Sequence, residues 1–178
     1  MSNQNGVGAN TYQRIIMGPG EVKINAATIG ATKGGNVLEI NRTFRDIRPD
    51  GAMGKVKGFR YVESVEVKLT VNLLELKEDN LYYALAGSSL SSHVITGGEI
   101  VNGTYLGAVY LECEVKGVTA TSENNLLTVE LDNCLVEGPL TLTLPESGEV
   151  VTQLVFVAHF SSSALTTEPW KLTYTPVS

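Results

Sequence analysis

The residue pattern that most limits the fold lies between Glu63 and Leu73, where apolar and polar side chains alternate without interruption. Successive side chains of a β-strand point to opposite faces, so this pattern predicts a strand with one face in the core and one in water. The apolar positions are Val65, Val67, Leu69, Val71 and Leu73, and the polar positions are Glu66, Lys68, Thr70 and Asn72.

Further segments have strand patterns, so the sequence predicts a mainly β fold, an antiparallel sandwich or half-barrel. The segment 150–160 is apolar on both faces, which predicts burial on both faces, under a helix or a neighbouring subunit. Gly34-Gly35 predicts a turn before the second strand. The other predicted strands are 21–25, 36–43, 105–115, 126–131 and 140–144.

One flanking helix is predicted over residues 77–86. Two carboxylates lie in its first turn, where they interact favourably with the helix dipole, and Gly87 follows as a helix stop. No Ser or Thr is present to cap its start. The predicted apolar stripe is Leu81, Tyr82 and Leu85.

The length of 178 residues predicts one domain with a substantial core. Residues 1–20 are rich in Gly, Asn and Ser, and we interpret them as a flexible N-terminal segment before a single domain over 21–178. No segment reaches the ~18 consecutive apolar residues of a spanning helix, and the first residues do not resemble a secretory signal. We therefore expect a protein made in the cytosol, with no membrane contact and with Cys113 and Cys134 reduced.

A basic segment over residues 42–60, here called the arm, interrupts this otherwise acidic chain. It carries six cations and two anions, a net charge of +4, whereas the whole chain carries −6. Apolar residues recur along the arm, which makes it too apolar for a solvated linker. Because predicted strands flank it, we expect the extended tip of an antiparallel hairpin, with a tight turn at Arg48-Pro49-Asp50-Gly51. DNA gripping and a merely solvated loop are the alternatives.

Catalytic and metal-binding patterns are weak. The two histidines, His93 and His159, have no sequence neighbours that indicate a triad or metal site. Gly34-Gly35 lacks the phosphate-loop spacing. We expect no enzyme activity, no cofactor and no metal. Five acidic residues are predicted to lie on a wet sheet face: Glu66, Glu112, Glu114, Glu130 and Asp132.

Several segments resemble the major tail (tail tube) proteins of tailed bacteriophages, over roughly residues 20–175. Four of them lie in the first half: Ile29-Gly-Ala-Thr-Lys-Gly-Gly35, Arg45-Asp-Ile-Arg-Pro-Asp-Gly-Ala52, Gly54-Lys-Val-Lys-Gly58 and Val67-Lys-Leu-Thr-Val-Asn-Leu-Leu-Glu-Leu76. Three lie in the second half: Leu131-Asp-Asn-Cys134, Val155-Phe-Val-Ala-His-Phe160 and Glu168-Pro-Trp170.

This resemblance implies a structural subunit that assembles, in the host cytoplasm, into stacked and usually hexameric rings of a virion tail. It implies that DNA passes through a negatively charged lumen without specific binding. Implied partners are other copies of the chain and the tail-tip initiator, tape-measure and tail-terminator proteins. The implied contacts between subunits involve the arm, where we select Arg45, Arg48, Asp50, Lys55, Lys57 and Arg60.

Two other functions remain open at this point. The first is the tube protein of a contractile tail, a phage-tail-like bacteriocin or a secretion machine, which would share the fold. The second is a virion decoration or adhesion module, which would predict a monomer or a small closed oligomer with an exposed aromatic cluster.

Overall fold

The computed structural model describes residues 16, 18, 20–114 and 125–174. It is mainly β and antiparallel with one α-helix, which confirms the predicted fold class. The strands are β1 (Glu21–Ile24), β2 (Ala27–Thr28), β3 (Thr32–Asp46), β4 (Arg60–Leu73), β5 (Ser89–Ser91), β6 (Val94–Thr96), β7 (Leu106–Glu114), β8 (Asn125–Val136), β9 (Thr152–Ala158) and β10 (Trp170–Tyr174). The helix α1 spans Glu78–Ala84, and a 3-10 helix spans Asn102–Thr104.

Eight of these strands form one sheet in the order β2-β1-β7-β8-β9-β4-β3, with β10 also paired to β8. Strand β8 pairs with β10 along its first half and with β9 over Cys134–Val136. Strands β5 and β6 form a separate hairpin. The path ends at β2 and β3, and within the described residues these two strands do not pair to close a barrel.

The sheet nevertheless curls until its two ends lie near each other. The strands β1, β7, β8, β9 and β4 follow one another in the sheet, and their buried side chains belong to one hydrophobic cluster. Only residues 29–31 connect β2 at one edge to β3 at the other. At ~3.3–3.6 Å per residue, that connection spans at most about 14 Å. Ile29 is buried, and the Ala31 carbonyl accepts hydrogen bonds from the amides of Leu74 and Glu75, at 2.9 and 3.2 Å.

The clearest sequence pattern is confirmed in β4. Val67, Leu69, Val71 and Leu73 are buried in the core, and Val65 is half-buried. The strand also begins three residues earlier than predicted, because β3 continues beyond the core and pairs with it out to Arg60.

Strand β9 is buried on its core face and partly on the other, where Val155 is half-buried and Gln153 exposed, so the predicted burial on both faces is confirmed only in part. Leu154, Phe156 and Ala158 join the core, while Val157 on the opposite face is 7% exposed. Val157 itself is covered within one chain.

The predicted strand at 140–144 is wrong. These residues form no strand, and Leu144 is 80% exposed. Pro139 and Pro145 bracket the segment, and proline supplies no amide hydrogen for a sheet ladder. Leu140 alone packs against the core.

The predicted turn at Gly34-Gly35 is also wrong, because both glycines lie inside β3. The pairing passes from Thr32 opposite Leu73 to Asn36 opposite Val71, so β3 advances four residues while β4 advances two. The φ angles of Gly34 and Gly35 are +99° and +86°. Glycine adopts this region without steric cost, so the pair forms an irregularity within the strand instead of a turn before it.

The helix is confirmed, but its predicted apolar stripe is wrong. The buried positions are Asn80 and Ala84, and Leu85 is 41% exposed. The Asn80 amide donates hydrogen bonds to the carbonyls of Ile29 and Glu75, at 2.7 and 3.0 Å. A satisfied polar side chain therefore occupies the buried face. No side-chain hydrogen bond caps the start at Lys77.

Two further predictions lie largely outside the described residues. Of the flexible segment 1–20, the structure describes residues 16, 18 and 20. Residue 115, the predicted end of β7, is not among the described residues. No described helix is long and apolar enough to cross a membrane.

Candidate functional site

The arm is the distal part of the β3–β4 hairpin, as the sequence predicts. The two strands stay paired from Thr32 opposite Leu73 out to Asp46 opposite Arg60. One further backbone bond joins the Ile47 amide to the Phe59 carbonyl at 2.8 Å. Residues 47–59 beyond this ladder are called the arm tip.

Two hydrogen-bonded turns order the arm tip. The Ala52 amide donates to the Pro49 carbonyl at 3.1 Å, and the Phe59 amide donates to the Val56 carbonyl at 3.2 Å. Gly51 and Gly58 occupy the third position of these turns with φ near +85°, at +83° and +88°. A positive φ there is typical of a type II turn and favours glycine. The predicted tight turn is therefore present, shifted by one residue.

Ion pairs inside the arm use three of the six residues selected from the sequence. The Asp46 carboxylate lies 3.1 Å from Lys55 Nζ and 3.5 Å from Arg60 Nε. The Arg60 guanidinium lies over the Phe44 ring, 4.2 Å from its centroid. Arg45 lies 3.9 Å from Glu63. These cations organise their own hairpin.

The other three selected residues differ in their surroundings. Arg48, Asp50 and Lys57 are exposed on the arm tip. None of the three forms an ion pair or side-chain hydrogen bond with another described residue. Arg48 and Lys57 are therefore the arm cations most available to a partner.

A contact that the sequence pattern did not predict holds the base of the arm. Arg42 forms an ion pair with Glu168 at 2.6 Å and lies 5.4 Å from the Trp170 ring centroid. The Trp170 indole also donates a hydrogen bond to Glu168. These residues are 126 and 128 positions from Arg42, so no local pattern could have indicated the contact.

The hairpin also exposes an unusual amount of apolar surface. Met53 is fully exposed, and Phe44 and Ile47 are 47% and 51% exposed. Several exposed apolar side chains on one hairpin are typical of an interaction site. The other exposed apolar side chains of this hairpin are Phe59, Tyr61 and Val62.

Three of the five selected acidic residues lie together on the outer face of β7 and β8. Glu112 accepts a hydrogen bond from Lys23 at 2.8 Å, and this bond raises the pKa of Lys23. Glu130 accepts one from the Tyr110 hydroxyl at 3.2 Å and lies 3.9 Å from Lys171. Lysines from the flanking strands thus offset part of the negative charge.

Asp132 is the acidic residue most affected by this environment. Burial is the main cause that raises its pKa. The charge of the nearby Glu130 raises the pKa further, while Lys171 lowers it. Glu66 lies apart from this group, on β4, 2.7 Å from Lys68. The side chain of Glu114 lies outside the described residues.

The surroundings of the two cysteines and two histidines decide what nucleophilic or metal chemistry the described residues could support. Burial raises the pKa of Cys113, and burial followed by the charge of Asp132 raises the pKa of Cys134 to about 12, so both thiols are poor nucleophiles. His93 pairs with Glu78 and His159 with Glu137, at 2.6 and 3.4 Å. Within the described residues, no three metal-ligating side chains cluster.

No protein-family model matches this chain, and no curated protein matches it. A solved structure does: the cryo-EM structure of the anti-feeding prophage cap, described as a tube-terminating cap. The match has a TM-score of 0.57 and 11% identity, and it covers 98% of this chain and 100% of the other. The chain shares the fold of a prophage tube cap.

Proposed function

We propose that this chain is a structural subunit that assembles into stacked rings, expected to be hexameric, and forms the tail tube of a tailed phage. The observation that carries the proposal is the ordered arm. It combines exposed apolar residues with two cations, Arg48 and Lys57, that have no ion pair among the described residues, on a chain whose remaining residues are strongly acidic. Such an arm is suited to binding another copy of the same acidic chain.

The geometry of the sheet supports association in a ring. Strand β3 forms one end of the sheet path and spans fifteen residues, and β2 forms the other end. Within the described residues, neither strand has a partner on its outer side. A long unpaired edge promotes pairing with other chains, and closure of a barrel between subunits removes it.

A heterologous contact would also explain growth along an axis. When one surface binds a different surface of the next copy, the association forms a closed ring or an open filament. An arm that binds the body of a neighbour is a contact of this kind. The fold shared with a prophage tube cap is consistent with a place in such an assembly.

DNA would pass through this tube without specific binding. The outer sheet face with Glu112, Glu130 and Asp132 is the candidate lumen surface, since carboxylates repel phosphate. We propose no enzyme activity, and we propose a location in the virion tail after assembly in the host cytoplasm. The proposed partners, besides other copies, are the tail-tip initiator, the tape-measure protein and the tail-terminator protein.

A tube-terminating cap is the second candidate function, because the solved cap matches over its full length. A cap would form one ring and would not polymerise, whereas a tube subunit would form stacked rings. A tube protein of a contractile machine would share the fold and form rods as well, so a sheath gene beside its own would distinguish it. A decoration or adhesion module predicts only monomers or small closed oligomers.

Negative-stain electron microscopy over a concentration series tests these candidates. Hollow rods or stacked rings support the tube subunit, and single rings support the cap. Dispersed monomers, even when concentrated and seeded with a tail-tip complex, would contradict both.

The variant Arg48→Glu tests the role of the arm. We expect it to block assembly while leaving the thermal unfolding midpoint unchanged, because a charge reversal at an interface rim brings like charges together. Lys77→Glu, a charge reversal at a lysine outside the arm that pairs with Glu75 at 2.9 Å, is the control for the added negative charge and should assemble normally. Normal assembly of Arg48→Glu at moderate salt would remove the arm from the mechanism.

A further inference from the structure

We propose that a groove at the base of the arm is the receptor for the arm tip of a second copy. This inference rests on the proposed self-assembly and adds the surface that receives the arm. The groove lies between β4 and the segment 160–168, and its volume is ≈ 420 Å³. Its apolar lining comes from Val62, Val65, Phe160 and Leu165.

A second depression continues from this groove. The two share Phe160 and Leu165, and the second, of ≈ 500 Å³, is lined further by Tyr105 and His159. Leu165 is 72% exposed, which is unusual for a leucine at the centre of a concave surface. Apolar Phe160 and Leu165 thus lie beside polar side chains such as Asn133, and such a surface is suited to a peptide segment that carries both apolar and polar side chains.

The backbone beside the groove is also unpaired. Strand β9 pairs with β4 only from Lys68 to Leu73. Among the described residues, no strand pairs with Arg60–Glu66 on the side opposite β3, so its amides and carbonyls on that side have no ladder partner. An unpaired strand edge can bind an extended chain through main-chain hydrogen bonds.

The chemistry of the groove complements that of the arm tip. Two acidic side chains line it: Glu63, whose ion pair among the described residues is the 3.9 Å contact with Arg45, and Glu168, which pairs with Arg42. The arm tip offers apolar Met53 together with Lys57, which has no ion pair among the described residues. Apolar anchors flanked by opposite charges give both affinity and register.

The occupant is a second copy because the geometry of one chain separates tip from groove. The groove is lined by Val62–Val65, at the base of the arm, whereas the tip lies beyond the Asp46–Arg60 pair. The hydrogen bonds and ion pairs shown for the tip join it to the hairpin itself. A tip that binds the base of the next copy produces the head-to-tail association required above.

Cross-linking between two variants that each carry one added cysteine tests this contact. Met53→Cys and Leu165→Cys chains are mixed under assembling conditions and treated with a short bis-maleimide. We expect a covalent dimer in this mixture. Mixing Met53→Cys with Leu144→Cys is the matched control, because Leu144 is 80% exposed and lines neither depression. The native chain measures any background from Cys113 and Cys134.

The variant Leu165→Asp gives a second, independent measurement. We expect at least a tenfold higher concentration for half-maximal assembly, with an unchanged unfolding midpoint, whereas Leu144→Asp should assemble as the native chain does. The groove would be overturned, and the proposed function left intact, if the native chain assembles but the mixture of Met53→Cys and Leu165→Cys chains does not cross-link. Equal cross-linking in the Leu144→Cys control mixture would have the same meaning. A native chain that never assembles would overturn both.

Discussion

His93 shows how one side chain can support a strained turn. The β5–β6 hairpin turns at Ser92 and His93, whose φ angles are +50° and +64°. Residues other than glycine rarely adopt a positive φ, although a two-residue hairpin turn requires one. His93 Nδ1 lies 2.6 Å from the Glu78 carboxylate in the first turn of α1. The turn is therefore linked to the helix through a bond that depends on protonation.

This pair predicts a pH-dependent contribution to stability. The hydrogen bond and the charge of Glu78 raise the pKa of His93 above its ordinary value of 6.5. A raised folded-state pKa gives a stabilisation that is complete below 6.5 and is lost as pH rises through the raised value. We expect an NMR titration of His93 to show this raised pKa, and Glu78→Gln to return it toward 6.5. An identical pKa in both proteins would contradict the pair.

Strand β3 shows how an element can depend on residues that usually interrupt it. Its inner half supplies Leu38 and Ile40 to the core, whereas its outer half forms the ladder of the arm. The irregularity at Gly34-Gly35 adjusts the register before this ladder begins. Alternation therefore predicted the centre of the strand correctly, but could not show that glycines extend it or that pairing continues beyond the core.

Gly35 provides a test at the scale of this strand. A Cβ at Gly35 would meet no neighbouring atom, so the cost of Gly35→Ala comes from its φ of +86° alone. We expect a loss of roughly 1–3 kcal/mol in the free energy of unfolding, measured by urea denaturation. Gly54→Ala is the matched control, since Gly54 also has open space but no positive φ. Equal effects of the two substitutions would mean that the strain is absent.

The distribution of charge is a property of the whole molecule. The arm carries a net +4 in a chain whose total is −6. Asp46 and Glu168 form ion pairs with some of the arm cations. Arg48 and Lys57 have no such partner among the described residues. The molecule is therefore suited to steering another copy toward its arm.

Salt should weaken this steering. The screening length falls from about 10 Å at 0.1 M to about 3 Å at 1 M ionic strength. We expect the initial rate of assembly, followed by light scattering, to fall as salt rises, and Lys57→Gln to show a shallower dependence. A rate that rises with salt in both proteins would show that apolar contacts control association instead.

The sequence by itself determined the mainly β class, the core faces of β4 and β9, the helix α1 and the hairpin with its ordered tip. These follow from period-two alternation, local turn residues and helix stops, all of which act over a few neighbouring positions. Only the tertiary structure decided how the ends of the sheet meet through residues 29–31, why Asn80 is buried, and how Arg42 reaches Trp170. Each of these depends on contacts between residues far apart in the chain. The groove at the base of the arm has the same origin, because its two walls come from β4 and from residues about a hundred positions later.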